Sequence, residues 1–208
     1  MADAPRRAAT LPGRRFVEVV TESLRVWRRL VTRGLRLEPN EFPYRNQVAT
    51  GHVPLLALLV FPVEILLVMR LAPWGWLMWA LVATSALGFA WLVALYASFF
   101  VLPHRLGPEN LDLHYGLVDH ITIPFPAIDK VAVDTWDAPT DRDGLHLSDD
   151  HFVASLPVAH RTQLALLLRA PLTESPGIPA EVRVVRFAVD EPEAMARAIT
   201  SRIVRRSI

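Results

Sequence analysis

Residues 53–69 read VPLLALLVFPVEILLVM, and beyond the short stretch Arg70-Leu71-Ala72-Pro73-Trp74-Gly75 residues 76–102 read WLMWALVATSALGFAWLVALYASFFVL. Each run is long enough to cross a hydrocarbon core of roughly 30 Å as a helix rising about 1.5 Å per residue, and the connection allows only a hairpin turn. The expected organisation follows from that pair: a disordered tail over 1–12, a basic amphipathic helix over 13–37, a linker over 38–51, a first transmembrane helix over 52–72, an external turn over 73–75, a second transmembrane helix over 76–103, and a soluble domain over 104–208. The fold class is thus an α+β membrane protein. Its two-helix transmembrane hairpin precedes a strand-rich module.

Composition agrees with one anchor and one domain, since 208 residues at 52% hydrophobic leave about a hundred for a soluble core. The net charge of +1 conceals an asymmetry: residues 1–51 carry ten Arg against five acids, whereas residues 104–208 carry eleven Lys or Arg against fifteen acids. The Arg residues preceding the first run, against Arg70 alone in the turn, place both termini in the cytoplasm of a cell whose inner membrane holds the hairpin. No apolar run of signal-peptide type occurs in the first 50 residues, so the first hydrophobic run is expected to stay as an anchor. Trp74, Trp76 and Trp79 suit the outer interface, with Phe42, Tyr44, Tyr96, Phe99 and Phe100 near the inner one. The lack of cysteine excludes disulfides, thiolate metal sites and cysteine nucleophiles.

Inside the hairpin, Ala86, Ala90, Ala94 and Ser98 recur every fourth residue, a face of low relief that can pack on the first span or join copies of the chain into an oligomer. Pro62 is expected to kink the first span. Glu64 is the one ionisable residue well inside a run, where a charged carboxylate costs about 2.5–3.5 kcal/mol, so it should be protonated or paired. Counting outward from a turn near Pro73 brings it within a helical turn of Thr84 and Ser85, whose hydroxyls can hydrogen-bond it. It is either a structural carboxyl or a contact for a partner helix or a proton.

Upstream, Phe16, Val20, Leu24, Trp27, Val31 and Leu35 recur at helical spacing beside Arg25, Arg28, Arg29 and Arg33. A basic amphipathic helix carrying Trp27 and those arginines just before a span suits the inner headgroup layer, with the lipid bilayer as its partner. Packing of the same apolar face on the soluble domain is the other reading.

After Pro103 continuous apolarity gives way to alternation. Leu111, Leu113 and Tyr115 precede Gly116, and Val118, His120 and Thr122, or Ile121 and Ile123 on the opposite face, follow it, which predicts a β-hairpin. Further strands are expected at Lys130–Trp136, Gly144–Leu147, Phe152–Leu156, Gln163–Leu168 and Glu181–Val189, then a helix to about Arg205 capped by Asp190 with Glu193 closing the box. Several strands and one terminal helix describe a curved sheet or open barrel plugged by that helix.

The stretches Leu111-Asp112-Leu113-His114-Tyr115-Gly116-Leu117, Ile123 to Val131, Thr162 to Pro171 and Val184 to Ala198 resemble the bacterial membrane proteins in which two adjacent spans precede a pleckstrin-homology-like (PH-like) domain. The resemblance covers roughly residues 50–205 and implies a seven-stranded PH-like fold capped by a C-terminal helix. It implies little about function. Eukaryotic domains of this kind that bind phosphoinositides use a basic cluster in the first hairpin, whereas this hairpin offers only His114 and His120 beside Asp112 and Asp119. An acidic domain also disfavours nucleic acid, so a membrane or cytoplasmic protein is the expected partner.

His146, Asp149, Asp150, His151 and His160, near Asp141 and Asp143, form the only cluster of metal-ligand types. They show neither a His-Glu-x-x-His run nor a calcium loop, so the expectation is a polar surface hairpin with no metal. No Gly-x-Ser-x-Gly elbow and no phosphate-cradling loop occur. The leading expectation is therefore a non-enzymatic accessory, scaffold or assembly factor without catalytic residue or cofactor. Alternatives are a membrane enzyme or transporter accessory using Glu64 or the His146, His151, His160 cluster, and a sensor of anionic lipid acting through the basic helix.

Overall fold

The computed structural model describes residues 12–48, 53–71, 75–138, 144–148, 152–170, 172 and 178–206. Residues 1–11 of the tail expected over 1–12, Trp74 of the turn, and Asp141, Asp143, Asp149, Asp150 and His151 lie outside the described residues, while Pro12 already belongs to a helix.

The chain begins with α1 over Pro12–Arg33, in which apolar residues at helical spacing give a strongly amphipathic cylinder. It stops at Gly34, whose φ of 60° suits a residue without a Cβ and whose N–H returns to the Leu30 carbonyl at 3.1 Å. Two long apolar helices follow, α3 over Val53–Leu71 and α4 over Gly75–Val101, separated from α1 by a short α2 over Arg45–Val48. Among the described residues α4 is the one helix shown to be long and apolar enough to cross a membrane. α3 runs through Pro62 and packs on α4, with the Phe61 and Phe89 rings stacked at 4.5 Å.

The strand-rich part is built of two sheets. β1 (Glu41–Phe42), β2 (His104–Leu106), β3 (Asn110–Tyr115) and β4 (Asp119–Pro124) form an antiparallel sheet in chain order. The β3–β4 hairpin pairs Leu113 with Ile121 and Leu111 with Ile123, and all four side chains are buried. The alternation thus resolves to the Ile121 and Ile123 face, leaving His114 and His120 on the other. A 3-10 turn at Phe125–Ala127 leads into β5 (Ile128–Asp137), which joins β6 (His146–Leu147), β7 (Val153–Leu156), β8 (Arg161–Leu168) and β9 (Val184–Phe187) in the order β5-β8-β9-β7-β6. The β7–β9 pair is parallel and the other pairs are antiparallel.

Finally α5 over Pro192–Arg206 starts with proline in the first turn, where the missing N–H costs nothing. It lays Met195 and Ile199, one helical turn apart, into the core formed by Leu111, Leu113, Ile121, Ile123, Leu164, Leu166, Val185 and Phe187. Each such buried side chain contributes about 1.5–3 kcal/mol. The architecture is α+β, with two sheets and a helix-rich part.

Three expectations change. Nine strands rather than seven are present among the described residues, because residues 41–42 and 104–106 add an edge to the hairpin. The stretch 38–51, expected as a linker, holds β1 and α2 in its described part. Asp190, expected to cap α5, instead accepts the Asn46 N–H of α2 at 3.2 Å.

Candidate functional site

The densest polar chemistry lies where α4 meets the sheets. His104 directly follows the helix and Pro103, and it is pulled inward because Phe42 and His104 are cross-strand partners in the β1–β2 ladder. Its Nε2 donates to the Ala188 carbonyl at 2.7 Å and its Nδ1 accepts the His114 N–H at 3.1 Å, a pairing that requires the neutral ring. Tyr44 stacks on it at 4.8 Å, and Phe187 meets it edge-on at 5.3 Å. Burial pushes the His104 imidazole down to about 3. His114 is brought to about 4, by burial first and then by His120. His120 stacks on His114 at 6.3 Å across the hairpin.

Tyr44 is fully buried, and its hydroxyl accepts the Gly116 N–H at 2.7 Å. Desolvation raises its phenol well above the ordinary value. Gly116 has a φ of 52°, and a Cβ built there would lie 2.6 Å from Ser98 Oγ and 2.9 Å from Phe99 Cε1. Glycine is therefore demanded both by the turn and by the approach of α4. Ser98 in turn accepts the Leu117 N–H at 3.0 Å and donates to the Leu95 carbonyl, while Phe99 meets Tyr115 edge-on at 5.0 Å. On the other side, Asp190 N–H donates to the Pro43 carbonyl at 2.9 Å. Burial raises the Asp190 carboxyl, against the lowering effect of its bond from Asn46 N–H.

Above this junction α1 docks on the end of α4. Val26 packs with Ala94 and Val101, joined by Trp27, Leu30, Ala97, Leu102 and Leu117. Arg29 ties the helix to β1 through an ion pair with Glu41, Nη2 to Oε2 at 2.6 Å, and the same oxygen accepts the Glu38 N–H. Both partners are sheltered, the Glu41 side chain being 2% exposed, so removal of either leaves a stranded charge. Helix, edge strand and hairpin are thereby fastened to one another.

The residues singled out from sequence are dispersed. Arg29 is taken by Glu41, Arg25 pairs with Glu22 of its own helix, Arg28 is exposed, and the Arg33 side chain lies outside the description. Trp27 sits at the α1–α4 contact. Ala94 and Ser98 are covered by α1 and by the β3–β4 turn, whereas Ala86 stays exposed. The Thr84 hydroxyl donates to the Ala80 carbonyl of its own helix, and among the described residues no hydrogen bond or ion pair joins Glu64 to Thr84 or Ser85. Glu64 itself is exposed on α3.

His146 lies on β6 opposite Ser155, and His160 occupies the β7–β8 turn with a φ of 64°. No group of three metal-ligating side chains forms among the described residues. A groove of about 500 Å³ lies at the end of α1 between Thr32, Arg36, Leu37 and Glu38.

Sequence reasoning missed His104 and the Arg29–Glu41 pair, and it gave Tyr44 to the membrane interface where the structure buries it against Gly116. Only Gly116, a glycine at the centre of an alternating pattern, carried a local signal. Comparisons of the chain with protein-family models, with curated proteins and with solved structures each find no match.

Proposed function

We propose that this chain is a non-enzymatic membrane adaptor: α3 and α4 cross the inner membrane as a hairpin, both termini face the cytoplasm, and the two-sheet domain, PH-like in its closing C-terminal helix, presents a fixed surface to a protein partner. The observation that carries the reading is the apolar surface of the two helices. Val60, Val63, Leu66, Leu67 and Met69 on α3, with Trp76, Trp79, Leu81, Leu87 and Trp91 on α4, are all exposed. A belt of that extent is unfavourable in water and natural in hydrocarbon. Ten arginines precede α3, against Arg70 alone in its last turn, which supports the orientation.

The junction supports a presenting role. Ser98 of α4 accepts the Leu117 N–H of the β3–β4 turn, Tyr44, His104 and Arg29 bond the segments around it, and the polar atoms of His104 are engaged by backbone groups on both sides. That assigns the buried imidazole to positioning. Glu64, exposed on an apolar helix, is the place for a polar group of the partner's own membrane helix.

Purification of the full chain from membranes in mild detergent tests the reading. A stoichiometric protein partner, lost on Glu64→Gln or on substitution of the domain surface, is expected. A monodisperse chain with no partner, or a reporter after Ile208 reached only from outside intact cells, overturns it.

A further inference from the structure

α1 has two apolar faces, and among the described residues only one is packed on another element. Val26 and Leu30 point to α4, whereas Val20, Leu24 and Val31 are 40%, 63% and 81% exposed. At about 100° per residue these three fall within roughly 40° of one another, about a third of a turn from the docked face, with Trp27 between the two. Arg28 and then Arg25 follow on the far border of the stripe, both exposed. Leu35 and Leu37, 52% and 38% exposed, extend the apolar surface past the helix end toward the groove beside Arg36.

The height at which α1 docks identifies what covers this stripe. Trp76 and Trp79 are exposed at the start of α4, as aromatic anchors of one interface are. A hydrocarbon core of roughly 30 Å is crossed in about 20 helical residues, so the opposite interface falls near residues 96–99. α1 packs on Ala94, Ala97, Val101 and Leu102. It therefore lies at headgroup level, in the corner between α4 and the leaflet surface.

We propose that the Val20, Leu24, Val31 stripe is a binding surface for anionic phospholipid, its apolar side chains entering the acyl boundary while Arg28, and Arg25 on exchanging its exposed Glu22 partner, reach the phosphates. This rests on α4 spanning the membrane and deepens that reading. Because the neighbouring face of α1 is fastened to α4 and, through Arg29 and Glu41, the helix is tied to β1, lipid contact at the stripe is transmitted to the sheet domain.

The chain lacks cysteine, so single-cysteine variants of the full-length protein can be labelled with an environment-sensitive fluorophore in phosphatidylcholine vesicles with or without phosphatidylglycerol. Labels go at Val31→Cys, at Leu87→Cys on the exposed side of α4 and at Glu181→Cys on the domain surface. The expected result is a Val31 label shielded from aqueous iodide relative to that at Glu181 when phosphatidylglycerol is present. Arg25→Gln and Arg28→Gln should each lower the ratio of inserted to solvated label by about fivefold. Leu24→Ser should lower it further without unfolding the chain, since that side chain is exposed.

A Val31 label as accessible as the one at Glu181, beside a shielded Leu87 label, overturns this inference and leaves the spans standing. Shielding that is unchanged by removing phosphatidylglycerol refutes the anionic assignment. An accessible Leu87 label removes the membrane anchor itself.

Discussion

Lowering the pH from 7.5 to 5 should destabilise the strand-rich domain by about 4 kcal/mol, through two imidazoles that the fold keeps neutral. In the unfolded chain His104 and His114 titrate near 6.5, whereas in the folded chain they resist protonation down to about 3 and about 4. Between those limits the unfolded state binds more protons, so stability is complete above about pH 6.5 and is lost as the pH falls toward the folded values. At pH 5 each group withholds about 1.5 pH units of protonation free energy, or about 2 kcal/mol per imidazole. The penalty has a structural origin. A second proton on His104 would abolish the Nδ1 acceptor used by His114 N–H, and His114 is further opposed by His120, Arg29 and Arg105, with Asp112 alone favouring its charge. Asp190 works in the opposite sense, because its raised carboxyl takes up a proton more readily when folded and so gains the folded state stability as the pH falls. Denaturant titration of the detergent-solubilised chain at pH 7.5, 6 and 5 measures the slope. His104→Gln retains a donor for the Ala188 carbonyl, and combined with His114→Gln it should flatten the profile. A wild-type chain equally stable at pH 7.5 and 5, or a slope that survives in the double variant, refutes the reasoning.

Two substitutions test the backbone at sharper points. Gly116→Ala places a methyl within 3 Å of Ser98 Oγ and Phe99 in a residue held at φ 52°, and should cost about 3 kcal/mol by thermal unfolding, partly recovered when Ser98→Gly opens the space. Ala159 and His160 form a two-residue hairpin turn with φ of 50° and 64°, closed by reciprocal Val158–Arg161 bonds of 3.1 Å, although Ala159 carries a Cβ into a left-handed position that Asn or Gly occupies more readily. Replacing them by Asn-Gly should stabilise the domain by about 1–2 kcal/mol in the same assay, and a loss of stability would show that the side chains outweigh the backbone preference.

What could be read from sequence were the features set by neighbours along the chain. The β3–β4 hairpin was legible because Leu111, Leu113, Ile121 and Ile123 alternate about a glycine, and α5 because Asp190, Pro192 and Glu193 together mark a helix start. Asp190 shows where such reading stops. Its local context is that of a helix cap, yet the side chain goes to Asn46, 144 residues away. A carboxylate can satisfy any helix start that reaches it, and the chain's return past Pro43 decides which one does. β1 was invisible because two residues carry no period, and Glu41–Phe42 becomes a strand only when His104 and Arg105 arrive beside it.

The same limit explains the split of the basic helix and defines the candidate site. The spacing of Phe16, Val20, Leu24, Trp27, Val31 and Leu35 predicts one apolar face, but Val26 and Leu30, about a third of a turn away, make the contact with α4. A period of 3.6 residues gives the direction of apolarity and not its width, so a stripe broad enough for two neighbours looks the same as one meant for a single partner. Tyr44 is ambiguous for a related reason: an aromatic ring near the end of a span suits either the headgroup layer or a buried seam. Only the arrival of Gly116, whose N–H donates to its hydroxyl, assigns it to the seam. Each undetected element of the junction thus owes its place to two segments far apart in sequence. Perturbing either segment alone should loosen the anchor from the domain while leaving the local secondary structure of both intact.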